Sequence, residues 1–240
     1  MVEEKKLTFL SHLREFRSRL VRSVYALLIA IPIAYFLTNK AFDILTAITP
    51  NVELIYTEMT EMLGVFIKVN LLLAFVLALP YIVYQFIMFV SPALTRTEKR
   101  YVYVLLPSIF ILFIIGALFA YYVLLPRGMN FLLTFNTDIA KPMIKIGDYI
   151  SLVTTLIFWI GLCFEIPLII FFLAKIGVVK TKWLTKFRKF AILLAFVVGA
   201  VITPTFDPVN QSLVAVPIIF LYELGILLSR FARKKQIAPA

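Results

Sequence analysis

Four stretches of this chain, residues 20–37, 64–89, 101–125 and 149–174, are apolar for long enough to cross the ~30 Å hydrocarbon layer of a bilayer as helices. Backbone polar groups find no partner in lipid, so such runs must close their own hydrogen bonds. Two shorter runs follow, 190–203 and 212–228. The first has 14 residues and reaches only ~21 Å. It fits a short span that thins the bilayer, or one that leaves the turn at 204–207 recessed; the other arrangement open to it is one arm of a re-entrant hairpin. The expectation is an all-α membrane protein of six transmembrane helices, with residues 1–240 forming a single polytopic domain. Composition agrees, since 62% of residues are hydrophobic and 15% charged, where soluble chains run nearer half and a quarter. No small-residue cleavage site follows the first run, so it is expected to stay as a span.

Charge sets the orientation. Of the 24 Lys and Arg, 19 fall in four segments: before residue 23, at 96–100, at 175–189 and after 229. Lys40, Lys68, Arg127, Lys141 and Lys145 lie on or toward the other side. By the positive-inside rule both termini are cytoplasmic. This one-sided distribution accounts for the net charge of +11 without nucleic acid as a partner; the partner is the lipid bilayer. Residues 7–19 form an amphipathic helix on the inner surface, with Phe9, Leu10, Leu13 and Phe16 at helical spacing.

Pro32, Pro80, Pro107, Pro167 and Pro217 interrupt five of the six spans. Each removes a backbone donor and bends its helix, which favours a concave array over a straight bundle. Outside the membrane, 41–48 reads as a short interfacial helix stopped at Pro50, and 129–135 as a second one. Asp148 is placed to cap the fourth span.

Few residues could carry chemistry. Glu15 is the lone carboxylate amid the first basic cluster. It fits an i,i+4 pair with Arg19, or an acceptor held for a cationic ligand. Glu98 reads as the closing residue of a capping box begun at Thr95, on the same membrane face as Glu15. Two such carboxylates could each hold a guanidinium in a bidentate pair. Glu165 lies mid-span, where an ionisable group costs ~2.5 kcal/mol or more, so it should face protein or a wet groove. Gln211 is its candidate partner. Lys68 is expected to snorkel to the interface, and Glu223 to pair with a cation near the basic tail. The single His12 and the single Cys163 leave no catalytic pair, no disulfide and no metal cluster. No phosphate loop is present. An enzyme is not expected, nor a cofactor, nor a metal. A proton-coupled secondary transporter using Glu165 is the alternative function, although no internal repeat supports it.

Five motifs together carry a resemblance: HLREFRSRL (12–20), FVSPALTRTEKR (89–100), GLCFEIPLI (161–169), GAVITPTFDP (199–208) and AVPIIFLYELGILLSR (215–230). They resemble TatC, the receptor subunit of the twin-arginine protein translocase. That resemblance implies a scaffold in the cytoplasmic (inner) membrane that binds twin-arginine signal peptides of folded cargo proteins, for export driven by the proton gradient. It implies single-span partners of the TatA and TatB kind, and several copies within a larger complex. Carried over by motif, Glu15 and Glu98 would take the paired arginines, with Arg17 and Phe89 in support. Glu165 and Gln211 would form a polar pair inside the concave groove, while Pro50 and Asp207 match functional positions in the outside loops. Phe16 and Thr97 depart from the family's usual leucine and polar or histidine residues, and neither change touches a carboxylate.

Overall fold

The structure is a computed structural model that describes residues 9–48, 53–90, 96–134, 143–203 and 207–232. It is a helical array. In chain order it comprises α1 (Phe9–Thr46), β1 (Leu54–Ile55), α2 (Glu61–Val90), α3 (Arg96–Phe119), a π turn (Ala120–Leu124), α4 (Leu125–Thr134), β2 (Ile144–Lys145), α5 (Ile146–Cys163), α6 (Ile166–Lys175), α7 (Thr181–Lys186), α8 (Arg188–Ile202) and α9 (Pro208–Ala232). Five segments are long and apolar enough to cross a membrane: Leu13–Thr46, Glu61–Phe89, Leu106–Thr134, Ile146–Lys175 and Pro208–Ala232. At 15 residues, α8 spans only about 22 Å. Large apolar side chains such as Phe36, Val201 and Phe220 are exposed around the array. That would be a liability in water and is the natural surface in lipid.

The basic helix, the first span and the interfacial helix are one element. The 38 residues of α1 run without interruption, because nothing between Leu37 and Thr46 breaks a helix. Pro32 is absorbed inside it. Where α1 ends, its last carbonyls are met by phenols from far along the chain. Tyr121 donates to Ile44 O and Tyr149 to Leu45 O, each at 2.7 Å. These bonds satisfy acceptors that a helix terminus otherwise leaves orphaned.

Packing between α1 and α2 relies on small residues. Ala30 and Ala34 meet Ala74 and Ala78 in one buried cluster, which lets the backbones approach closely. One turn beyond, buried Asn70 donates to Thr38 Oγ1 at 3.2 Å, and Thr38 in turn donates to Ala34 O. The main core surrounds α5, where Tyr149, Ile150, Val153 and Ile160 are fully enclosed.

The third span does not stop at Leu125. It widens through the π turn, in which Leu125 N–H reaches back to Ala120 O, and continues as α4. Pro126 follows directly; it has no N–H to place, and the wider turn makes room for its ring. The fourth span is interrupted: α5 ends at Cys163 and α6 starts at Ile166. Pro167 occupies the first turn of α6, a position where the missing donor costs nothing. Asp148 is not the cap of α5. Lys145 holds that position in extended conformation, and Asp148 lies in the first turn, where its charge still complements the helix dipole.

Two segments between the helices are tied together. β1 and β2 pair in parallel, Leu54 opposite Ile144 and Ile55 opposite Lys145. Beside them Glu61 accepts from Thr57 N at 2.9 Å and from Gly147 N at 2.8 Å. A Cβ at Gly147 would lie 2.7 Å from Glu61 Oε1, so a larger residue there would have to displace the Glu61 carboxylate. At the opposite end of the array Arg188 pairs with Glu223 at 2.8 Å, as expected for that carboxylate.

Candidate functional site

The basic end of α1 makes a polar and aromatic cluster with α2. Arg19 donates through Nε to Glu15 Oε1 at 3.0 Å, and its Nη2 reaches the same oxygen. The i,i+4 pair is therefore formed. Arg19 Nη1 extends to Gln85 Oε1 at 3.5 Å. Gln85 is only 4% exposed, which fixes one side of the guanidinium. One turn on, the Phe16 and Phe89 rings meet edge to face, centroids 5.4 Å apart. Arg17 is exposed beside them. Glu98 stands in the first turn of α3, and its side chain lies outside the described residues. Five residues connect Val90 to Arg96, a reach of at most about 22 Å over the six steps between them, so the start of α3 lies at the same end of the array as Phe89.

A second polar position sits inside the array. Glu165 occupies the break between α5 and α6, is 5% exposed, and neither carboxyl oxygen makes a hydrogen bond of ordinary length and angle among the described residues. It stands at the N-cap of α6 without capping it. Gln211 is not its partner: Gln211 Nε2 donates to Phe196 O at 2.9 Å, tying α9 to α8. Desolvating an unpaired polar group costs about 2 kcal/mol. Glu165→Leu should therefore raise the thermal unfolding free energy in detergent by about that much. A midpoint that stays level or falls would show that the carboxyl has a stabilising role.

Among the outside positions, Asp207 caps α9. Its Oδ1 accepts from Asn210 N at 2.7 Å and its Oδ2 from Asn210 Nδ2 at 3.0 Å. Pro50 lies outside the described residues. Lys68, expected at the interface, donates to Ser151 Oγ at 2.6 Å. Sequence reasoning passed over Gln85 and Asn70. Both are lone amides in apolar runs, and in lipid such groups must find partners, a signal that was there to be read.

Long apolar helices, a carboxylate–guanidinium cluster at the basic end and a buried carboxyl at a helix break define an integral helical membrane protein with two polar positions. Residues 11–217 match the family described as Sec-independent protein translocase protein (TatC), and the chain belongs to that family. A relative from Aquifex aeolicus, a Sec-independent protein translocase protein TatC, is 42% identical over 237 residues, covering 95% of this chain and 98% of the relative. One of the same description from Desulforapulum autotrophicum is 40% identical over 240 residues, covering 98% and 88%. A crystal structure of the twin arginine translocase receptor TatC superposes with a TM-score of 0.84 at 42% identity, covering 93% of this chain and all of that one. The helical fold expected from the apolar runs is thereby established.

Proposed function

We propose that this chain is the receptor and scaffold of a twin-arginine protein export system, not an enzyme. Glu15 and Glu98 grip the paired arginines of a signal peptide at the cytoplasmic face, with Arg17 and Phe89 in support. The peptide's apolar segment lies along a concave, membrane-buried groove past Glu165 and Gln211. This division suits the ligand, because its arginines keep their charge near water while its hydrophobic part enters lipid. The chain forms one polytopic domain of six spans, α8 being the short fifth, in the inner membrane with both termini cytoplasmic. The one-sided distribution of basic residues supports that orientation. Single-span subunits of the TatA and TatB kind and further copies of this chain complete the complex. The proton gradient drives passage of folded cargo. Pro50 and Asp207 serve in the outside loops.

The observation that carries the reading is the Glu15–Arg19 contact. Glu15 already holds a guanidinium, at the end of the array where the start of α3 brings Glu98. The test is photo-crosslinking from positions 14 and 97 to a signal peptide with paired arginines, against the same peptide with paired lysines. Both positions should crosslink the arginine peptide alone, since only arginine offers the planar fork. Equal crosslinking to both peptides, or crosslinking from one position only, would overturn the reading.

A further inference from the structure

Lys68 is a charge without a counter-ion among the described residues, in a groove among α1, α2 and α5. The groove has a volume of about 480 Å3. Its walls are mostly apolar, with Leu71 and Phe75 from α2 and Phe158 and Trp159 from α5. Phe75 and Phe158 pack edge to face at 4.9 Å, and Phe158 does the same with Trp159 at 5.6 Å. The lysine is oriented by a relay of hydroxyl and carbonyl. Ser151 gives its proton to Gly147 O at 2.6 Å and turns a lone pair to Lys68 Nζ at 2.6 Å. An ammonium has three donors, so two remain for a ligand. Among the described residues Lys68 is in no ion pair, and Glu61, two turns away on the same helix, is committed to two backbone amides.

The depth of this charge identifies its ligand. The 30 residues of α2 extend about 45 Å, so with the helix centred, about 7 Å project beyond the ~30 Å hydrocarbon layer at each end. Lys68 lies seven residues into α2, about 10 Å along it. Its Cα is then about 3 Å inside the hydrocarbon boundary, within side-chain reach of the level at which lipid phosphates meet basic side chains. We propose that the groove at Lys68 is a phospholipid site, which holds the phosphate of an anionic lipid against Lys68 and an acyl chain against the Phe75, Phe158 and Trp159 wall. The site is independent of signal-peptide binding, and the test does not depend on orientation because vesicles carry lipid in both leaflets.

Trp159 reports on the groove directly. The other tryptophan, Trp183, is exposed on α7, and Trp183→Phe leaves Trp159 as the sole tryptophan, excited selectively at the red edge where the tyrosines do not absorb. The protein is reconstituted in phosphatidylcholine vesicles containing equal mole fractions of either dibrominated phosphatidylglycerol or dibrominated phosphatidylcholine. Quenching should favour phosphatidylglycerol by about fivefold in relative association, the factor one lysine near an anionic surface contributes. Lys68→Gln keeps a donor for Ser151 and should bring the ratio to one, while Lys68→Arg should preserve it. Inorganic phosphate at matched ionic strength should leave the ratio unchanged. Equal quenching by the two lipids, a ratio indifferent to Lys68→Gln, or a ratio abolished by inorganic phosphate would each overturn the proposal. So would a Trp159 that neither lipid quenches, which would mean that protein, either a second copy or a partner helix, covers the groove.

Discussion

Gly161→Ala should destabilise the protein by about 3 kcal/mol in thermal unfolding, the upper end of what one forced methyl costs in a packed interior. A Cβ there would lie 2.6 Å from Phe113 Cε2 and 2.8 Å from Cζ, far inside van der Waals contact. Phe113 is 0% exposed, so its ring has nowhere to swing. The opposing helix is equally close. A Cβ at Gly116 would lie 3.0 Å from Gly161 Cα and 2.9 Å from Phe164 Cβ. Two glycines thus let α3 and α5 cross nearly backbone to backbone, beside the break that holds Glu165. Gly64→Ala is the control, because nothing lies within 4 Å of a Cβ there. Pairing Gly161→Ala with Phe113→Ala should recover part of the loss, and the double-mutant cycle isolates the clash. If Gly161→Ala unfolds with the parent, the crossing is looser than described.

Glu15→Gln should weaken binding of a twin-arginine peptide by about 100-fold, and Glu98→Gln should do the same. A hydrogen bond to a charged group is worth up to about 3 kcal/mol, and each 1.4 kcal/mol is a decade in Kd. Glutamine keeps the shape and loses the charge, so a purely structural role would leave the affinity intact. The contact within the chain supplies a second variant. Arg19 occupies Glu15 Oε1 and must yield to an incoming arginine. Arg19→Gln should therefore tighten binding several-fold, while Glu15→Gln in that background should abolish the gain. Titrating labelled peptide against protein in nanodiscs, with a lysine-paired peptide as control, measures all three. Unchanged affinity in both glutamate variants would remove the carboxylates from the site.

The five long apolar helices were legible in the sequence, because lipid thickness imposes a length that local residues alone must meet. What was decided across the chain was not legible. Residues 41–48 looked like a separate helix, since the bonds that settle the end of α1 come from Tyr121 and Tyr149, 77 and 104 residues downstream of their acceptors. The partner of Lys68 was hidden as well, because Ser151, its acceptor, lies 83 residues away. Of the five prolines within spans, four sit inside continuous helices, and only Pro167 marks an interruption. Its context explains the difference: the preceding residue pair includes Glu165, whose polarity already disfavours a continuous apolar helix. Glu15 could be singled out as a lone acid among bases, and its contact with Arg19 followed from helical spacing alone. Gln85 and Phe89 join it only because α2 packs along α1.

Seen as a mechanical part, α1 is a strut. Glu15 stands near one end, and about 44 Å away the other end is moored by two phenol hydroxyls at the opposite membrane surface. A sideways pull on Glu15 is levered across the bilayer to those moorings, unless the strut gives at Pro32.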